Sequence, residues 1–192
     1  YVPRFYEVAY HDDGTLSHVS PALQGVALPV KKRIVGKLPP APARFLVPNV
    51  ETVHDRISVE IMRGCTRGCR FCHAGVVNRP VRERAPEEIL EAVQAGLDAT
   101  GYEQVGLLSL SSSDHTRILD IIRGVYEKFK DSRVQVNLPS LRIASFSVDL
   151  MDELKDLRPG GGFTLAPEAA TERMRAIINK PLDEEIILET AR

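Results

Sequence analysis

Cysteine is scarce in this sequence: among 192 residues there are three, all between Cys65 and Cys72. An odd number confined to so short a span cannot build a disulfide framework, so the three read as ligands. Excess charge of one sign is lacking too. The 25 Lys and Arg nearly balance the 26 Asp and Glu, giving a net charge of −1 and a pI near 6.6. That balance argues against a wholesale binder of nucleic acid or membrane surfaces and leaves room only for a local basic patch. No run approaches the ~18 apolar residues that a bilayer span requires. The first residues, Tyr1-Val-Pro-Arg-Phe-Tyr, lack the hydrophobic run of a signal peptide, so the cytoplasm is the expected compartment. There is no internal repeat and no low-complexity tract. No initiator Met is present and Arg192 falls inside an expected helix, as in a piece cut from a longer protein.

What is present is ordinary for a soluble globular domain: 43% hydrophobic and 27% charged residues. Residues 1–56 read as a Pro-rich lead-in, because seven of the 13 prolines lie there and exclude long helices and central strands. Within it, Tyr6 to Tyr10, the Asp13-Gly14 turn and Thr15 to Val19 predict a small hairpin. From residue 57 to 192 short apolar runs alternate with amphipathic segments, the pattern of β/α units on a parallel sheet. The expected strands are Ile57 to Ile61, Gln104 to Leu110, Val134 to Leu138 and Phe163 to Ala166.

The helices between them are equally regular. Pro86 to Thr100 carries Ile89, Val93 and Leu97 on one face, with Pro in the first turn and Gly101 as a stop. A second helix, which Asp114 is placed to cap, has the stripe Ile118, Ile121, Ile122, Val125 and Phe129. A third follows Ser147 with Leu150, Leu154 and Leu157. A fourth, Thr171 to Asn179, is expected to face Met174, Ile177 and Ile178 inward, with Glu168 favoured by the dipole at its start. A last helix opens near Asp183.

Cys65-Thr-Arg-Gly-Cys69-Arg-Phe-Cys72 has the spacing C-x3-C-x2-C. Three thiolates on one short loop can reach three irons of a [4Fe–4S] cubane and leave the fourth iron without a protein ligand. Gly64 and Gly68 allow the loop to wrap closely, and Phe71 can shield a cluster from water. Two alternatives stay open. A structural zinc ion would need a fourth ligand, for which His73 is at hand, giving a zinc-stabilised binding module that could take RNA. Cys69-Arg-Phe-Cys72-His73 also satisfies C-x-x-C-H, the attachment motif of c-type haem, although haem attachment usually implies export.

Cys65-x3-Cys69-x-Phe71-Cys72 after a strand resembles the signature of the radical S-adenosylmethionine (SAM) superfamily. The wider run from Glu60 to Gly75, together with Arg79-Pro-Val-Arg-Glu-Arg84, Leu138-Pro-Ser-Leu-Arg142 and Ala166-Pro-Glu-Ala-Ala170, is similar to one uncharacterised family within it. Longer members of that family carry a cobalamin-binding-like domain upstream and a domain of unknown function downstream. The resemblance implies an α/β fold, a partial (β/α) barrel of the radical SAM type that stops after about four units. It implies a [4Fe–4S] cluster on Cys65, Cys69 and Cys72, and reductive cleavage of SAM to a 5′-deoxyadenosyl radical that acts on an unknown substrate. It also implies an external electron donor and SAM contacts from Phe71, Ser111, Ser112, Ser113, Asp114, Ser140, Arg142 and Glu168. Serines stand at 111–113 where glycines are usual in the superfamily.

Six arginines, at 63, 67, 70, 79, 82 and 84, surround the cysteines. They can offset cluster charge, bind an anionic substrate such as RNA, or pair locally. His11, His18, His54 and His115 read as surface or structural histidines. An uncovered fourth strand invites pairing between two copies of the chain, so a dimer is expected.

Overall fold

The computed structural model describes residues 2–42, 44–143 and 165–191. Contacts divide the chain into two units, Tyr1–Gly36 and Lys37–Arg192. In the first, β1 (Tyr6–Tyr10) and β2 (Leu16–Pro21) form the expected antiparallel hairpin. Gly14 takes φ 80° in its turn, and the Asp13 carboxylate accepts hydrogen bonds from the Thr15 amide at 2.9 Å and hydroxyl at 2.6 Å. Residues 22–56 carry no helix or strand among the described residues.

The second unit runs β3 (Ile57–Glu60), β4 (Met62–Arg63), α1 (His73–Val77), β5 (Arg82–Glu83), α2 (Pro86–Thr100), β6 (Gln104–Leu108), α3 (Ile118–Phe129), β7 (Gln135–Asn137), α4 (Glu172–Ile177) and α5 (Glu184–Ala191). Strands β3, β6 and β7 form a parallel sheet in that order. Its odd-numbered residues Ile57, Val59, Val105 and Leu107 are fully buried against Ile89 and Val93 of α2 and Ile121, Ile122 and Val125 of α3. Burial of each such side chain contributes roughly 1.5–3 kcal/mol. Packing is close where glycine permits it: a Cβ on Gly96 would come within 2.9 Å of Ile57 Cδ1. The opposite face, with Ser58, Gly106 and Asn137 in one row across the three strands, is turned away from α2 and α3.

Helix α2 has the expected bounds, with Pro86 in its first turn and Gly101 at φ 73° returning its N–H to Leu97. Helix α3 buries the expected stripe, but Asp114 does not cap it. The helix starts at Ile118 with Arg117 as its cap residue, and Ser112–Asp114 forms a separate 3-10 turn. The Asp114 carboxylate is occupied elsewhere, by Arg67 and Ser111.

Two further expectations are corrected. Glu168 lies in a loop four residues before α4, whose N-cap is Thr171, accepting from the Met174 amide. Within α4, Met174 and Ile177 are exposed and Ile178 is only half-buried, whereas Arg175 is buried. The reason is tertiary. The Arg175 guanidinium donates to the carbonyls of Leu182 (2.6 Å), Ala169 (3.0 Å) and Ala170 (2.9 Å), so the polar side of the helix turns inward. The expected helix after Ser147 and residues 163–164 of the expected fourth strand lie outside the described residues, and Leu165 and Ala166 belong to no strand.

Candidate functional site

The cysteine loop leaves the sheet after β4 and is fixed from both sides. At its root Gly64 takes φ 92°, and a Cβ there would lie 2.7 Å from the carbonyl oxygens of Asn78 and Pro80, so only glycine fits. The Arg79 guanidinium donates to the Cys65 carbonyl at 3.3 Å. On the other side the end of α4 meets the loop. Asn179 donates to the carbonyls of Arg67 (3.3 Å) and Gly68 (2.9 Å). The Arg70 amide donates to the Ile178 carbonyl at 2.9 Å, and its side chain to that of Ile177 at 2.6 Å. Residues more than 100 positions apart therefore set the loop's shape.

All three thiols are free and half-buried. Each sulfur accepts one N–H: Cys65 from the Arg67 amide at 3.5 Å, Cys69 from Arg142 Nη1 at 3.7 Å, and Cys72, which caps α1, from the Gly75 amide at 3.3 Å. Hydrogen bonds to sulfur stabilise thiolate ligands and tune the potential of a cluster they hold. His73, the fourth zinc ligand of the alternative reading, is an exposed residue at the start of α1. Among the described residues no three His, Cys, Asp or Glu side chains converge on one metal ion. A cubane requires no such convergence, since each thiolate binds a different iron. The donor set therefore fits a cluster with one open iron and fits a closed tetrahedral zinc site poorly.

The three cysteines open onto a cleft of about 600 Å³. Of the residues expected to contact SAM, Phe71, Ser111, Ser140, Arg142 and Glu168 line it. Phe71 is exposed at its rim. Ser140 and Glu168 adopt left-handed φ values, 62° and 69°, uncommon for non-glycine residues and concentrated at functional sites. Glu168 pairs with Lys180 at 2.9 Å, and Lys180 also donates to the Ala166 carbonyl.

Ser112, Ser113 and Asp114 are placed differently. Ser112 is fully buried and donates to the Pro139 carbonyl at 2.8 Å, while its amide donates to the Ser140 carbonyl. The Ser113 hydroxyl accepts from the Arg142 amide at 3.0 Å. These two serines thus tie the end of β6 to the loop after β7, which holds Ser140 and Arg142 in the cleft. Asp114 grips Arg67 with both carboxylate oxygens and accepts from the Ser111 hydroxyl at 2.7 Å. The Asp114–Arg67 hydrogen bond raises the Arg67 pKa, against partial burial that lowers it and with added attraction to Asp114, Cys65 and Cys69, which keeps the guanidinium charged beside the sulfurs.

The arginine cluster is engaged within the chain. Arg63 pairs with Glu60, Arg67 with Asp114 and Arg84 with Glu88, while Arg70, Arg79 and Arg82 donate to backbone carbonyls. Sequence reasoning missed Lys180 and Asn179, which carry no motif and reach the site only through the fold. It also missed Arg56 and Asn137 on the cleft wall.

The sequence model of the radical SAM superfamily matches residues 59–192, which hold every residue of the cysteine loop and nearly all of the cleft. The chain belongs to the radical SAM superfamily. Among its relatives is an uncharacterised protein of Methanocaldococcus jannaschii, 33% identical over 126 residues, covering 66% of this chain and 27% of that protein. Two tRNA-2-methylthio-N(6)-dimethylallyladenosine synthases are also similar. The one from Staphylococcus haemolyticus is 28% identical over 118 residues, 60% of this chain and 23% of the synthase. The one from Bacillus velezensis is 25% identical over 137 residues, 68% and 27%. This radical SAM chain thus spans about a quarter of the length of these relatives. Among the described residues no helix is long and apolar enough to cross a membrane.

Proposed function

We propose that Cys65, Cys69 and Cys72 hold a [4Fe–4S] cluster whose open iron faces the cleft, where SAM binds. The observation that supports this most is the sharing of one cleft by three free thiols with Ser111, Ser140, Arg142 and Glu168. When bound and reduced by an external donor, such a cluster supplies the electron that cleaves SAM to methionine and a 5′-deoxyadenosyl radical.

The chain's own groups do the positioning. The Arg67 guanidinium, held by Asp114, and that of Arg142 place positive charge beside the thiolates, offsetting the negative charge of a thiolate-ligated cluster. Glu168, held by Lys180, presents an acceptor to an amine or ribose hydroxyl. The three parallel units form, in this reading, the first part of a (β/α) barrel with its site at the carboxyl ends of the strands. The substrate that the radical acts on is open. RNA is one class, suggested by the tRNA-modifying relatives, while the internal engagement of the arginine cluster offers it no ready-made phosphate-binding surface.

The test is 5′-deoxyadenosine formation by the full-length protein, reconstituted anaerobically and reduced with dithionite. Wild type is expected to form it and the Cys69→Ala variant to form none. A colourless protein that takes up one zinc per chain would replace this reading with the zinc-stabilised module.

A further inference from the structure

One charged side chain in the cleft has no role in holding the cysteine loop. Arg56 stands immediately before β3 and lines the cleft. Its Nε is buried and has no hydrogen-bond partner. The other cleft cations have charged or sulfur partners: Arg67 pairs with Asp114, Lys180 with Glu168, and Arg142, whose Nε is buried and unsatisfied like that of Arg56, donates through Nη1 to the Cys69 sulfur. No ion pair joins Arg56 to a described residue. Arg56 as a whole is half-buried, and a donor atom buried without an acceptor, as its Nε is, costs free energy that an incoming acceptor would recover.

The sheet is shaped to admit the side chain. Ser58 of β3, Gly106 of β6 and Asn137 of β7 share one register row on the face opposite α2 and α3. Arg56 lies over the middle of that row, because a Cβ on Gly106 would stand 3.3 Å from its Nε and 3.6 Å from its Cδ. Glycine inside a strand weakens it, and is found where another group must approach the backbone closely. Here that group is Arg56. At the next position in the row, Asn137 lines the same cleft, and its side-chain amide makes no hydrogen bond to a described residue. A fixed guanidinium and a carboxamide side by side on a cleft wall form a donor set that matches an oxyanion.

We infer that Arg56 and Asn137 form an oxyanion subsite on the sheet wall of the cleft, which takes a carboxylate or phosphate group of the substrate. The inference rests on the reading of the cleft as the radical enzyme's active site, since it is the substrate's anionic group that is anchored there. Arg56 is distinct in position from the donors beside the cysteines, because it enters from the start of β3 and crosses the sheet, whereas Arg67 and Arg142 sit at the sulfurs. Anchoring one end of a substrate on a rigid strand would fix which of its hydrogen atoms faces the cofactor end of the cleft.

The experiment uses the full-length protein, with and without its reconstituted cluster, and titrates it with inorganic phosphate, acetate and SAM by calorimetry. Wild type is expected to bind at least one of the two small anions in both forms. Arg56→Gln is expected to weaken that binding at least tenfold and Asn137→Ala severalfold, with SAM affinity changed less than twofold. Tighter phosphate binding assigns the subsite to a phosphate ester, and tighter acetate binding to a carboxylic acid. Gly106→Ala, which crowds Arg56 without removing it, is expected to weaken anion binding as well and carries the test if Arg56→Gln does not fold. Absence of anion binding in wild type, unchanged binding in the variants, or a parallel tenfold loss of SAM affinity would each overturn the inference. Because anion binding is read without the cluster, its failure is distinct from failure to assemble a cluster or to form 5′-deoxyadenosine.

Discussion

At the scale of single residues, the chemistry is local and the support is not. Cys65, Cys69 and Cys72 are legible because their spacing is set along eight consecutive residues, and Gly64 because its role follows from the missing side chain. Asp114 was not legible. Its partner Arg67 lies 47 positions away, so a carboxylate suited to capping a helix instead braces the loop. His115, which the sequence left as surface or structural, is structural. It is buried, with Nε2 3.2 Å from the Arg84 carbonyl and Nδ1 accepting from the Arg117 amide, which assigns the proton to Nε2.

Burial lowers the His115 pKa below its ordinary 6.5; the Arg117 charge adds to this, while Glu83 and the Arg84 carbonyl oppose it. The unfolded chain therefore binds the proton more readily than the folded one. The stability His115 contributes is complete above about pH 6.5 and is lost as the pH falls below it, levelling off beneath the folded-state value. Urea midpoints measured between about pH 5 and 8 are expected to fall on the acid side in wild type and to fall less in His115→Gln. Equal slopes would show that the histidine is not linked to folding.

At the scale of elements, hydrophobic periodicity identified the long ones. The stripe Ile118, Ile121, Ile122, Val125 and Phe129 recurs at helical spacing, and all five residues are buried in α3. The alternation in β3 likewise put Ile57 and Val59 inside. Strands β4 and β5, of two residues each, and the five-residue α1 are too short to carry a period, and their shape comes from the loop they bracket. Helix α4 misled for a different reason. Its apolar residues predicted an inward face, but the three carbonyls gathered by Arg175 outweigh the burial of Met174 and Ile177. Hydrogen bonds to a charged donor contribute about 1.5–3 kcal/mol each, and leaving the carbonyls without one costs a further desolvation penalty.

Arg175→Met is therefore expected to loosen the segment from Leu165 to Leu182 and with it the clamp that Asn179 and the Ile177 and Ile178 carbonyls place on the cysteine loop. Limited proteolysis of the full-length protein should cut this segment faster in the variant, and Arg175→Lys should not restore wild-type resistance, because an ammonium cannot span the three acceptors. Unchanged cleavage would show that the buried guanidinium is not the anchor.

At the scale of the molecule, the family match over residues 59–192 agrees with the geometry of the second unit, where a parallel sheet delivers the cysteine loop, the serine turn and the loop after β7 to one cleft. The sequence pattern reached this arrangement through the rhythm of strand and helix. It did not reach the row Ser58, Gly106 and Asn137, because register between strands is invisible to periodicity within each one. Local pairing was one of the roles the sequence left open for the six arginines around the cysteines, but their particular partners follow only from the fold.

The most direct measurement is the electron paramagnetic resonance spectrum of the full-length protein, reconstituted to about four irons per chain and reduced. The account predicts a [4Fe–4S]⁺ signal whose g values shift on addition of SAM, because one iron is left open by Cys65, Cys69 and Cys72. A protein that assembles no cluster, or a cluster signal that SAM leaves unaltered, would contradict it.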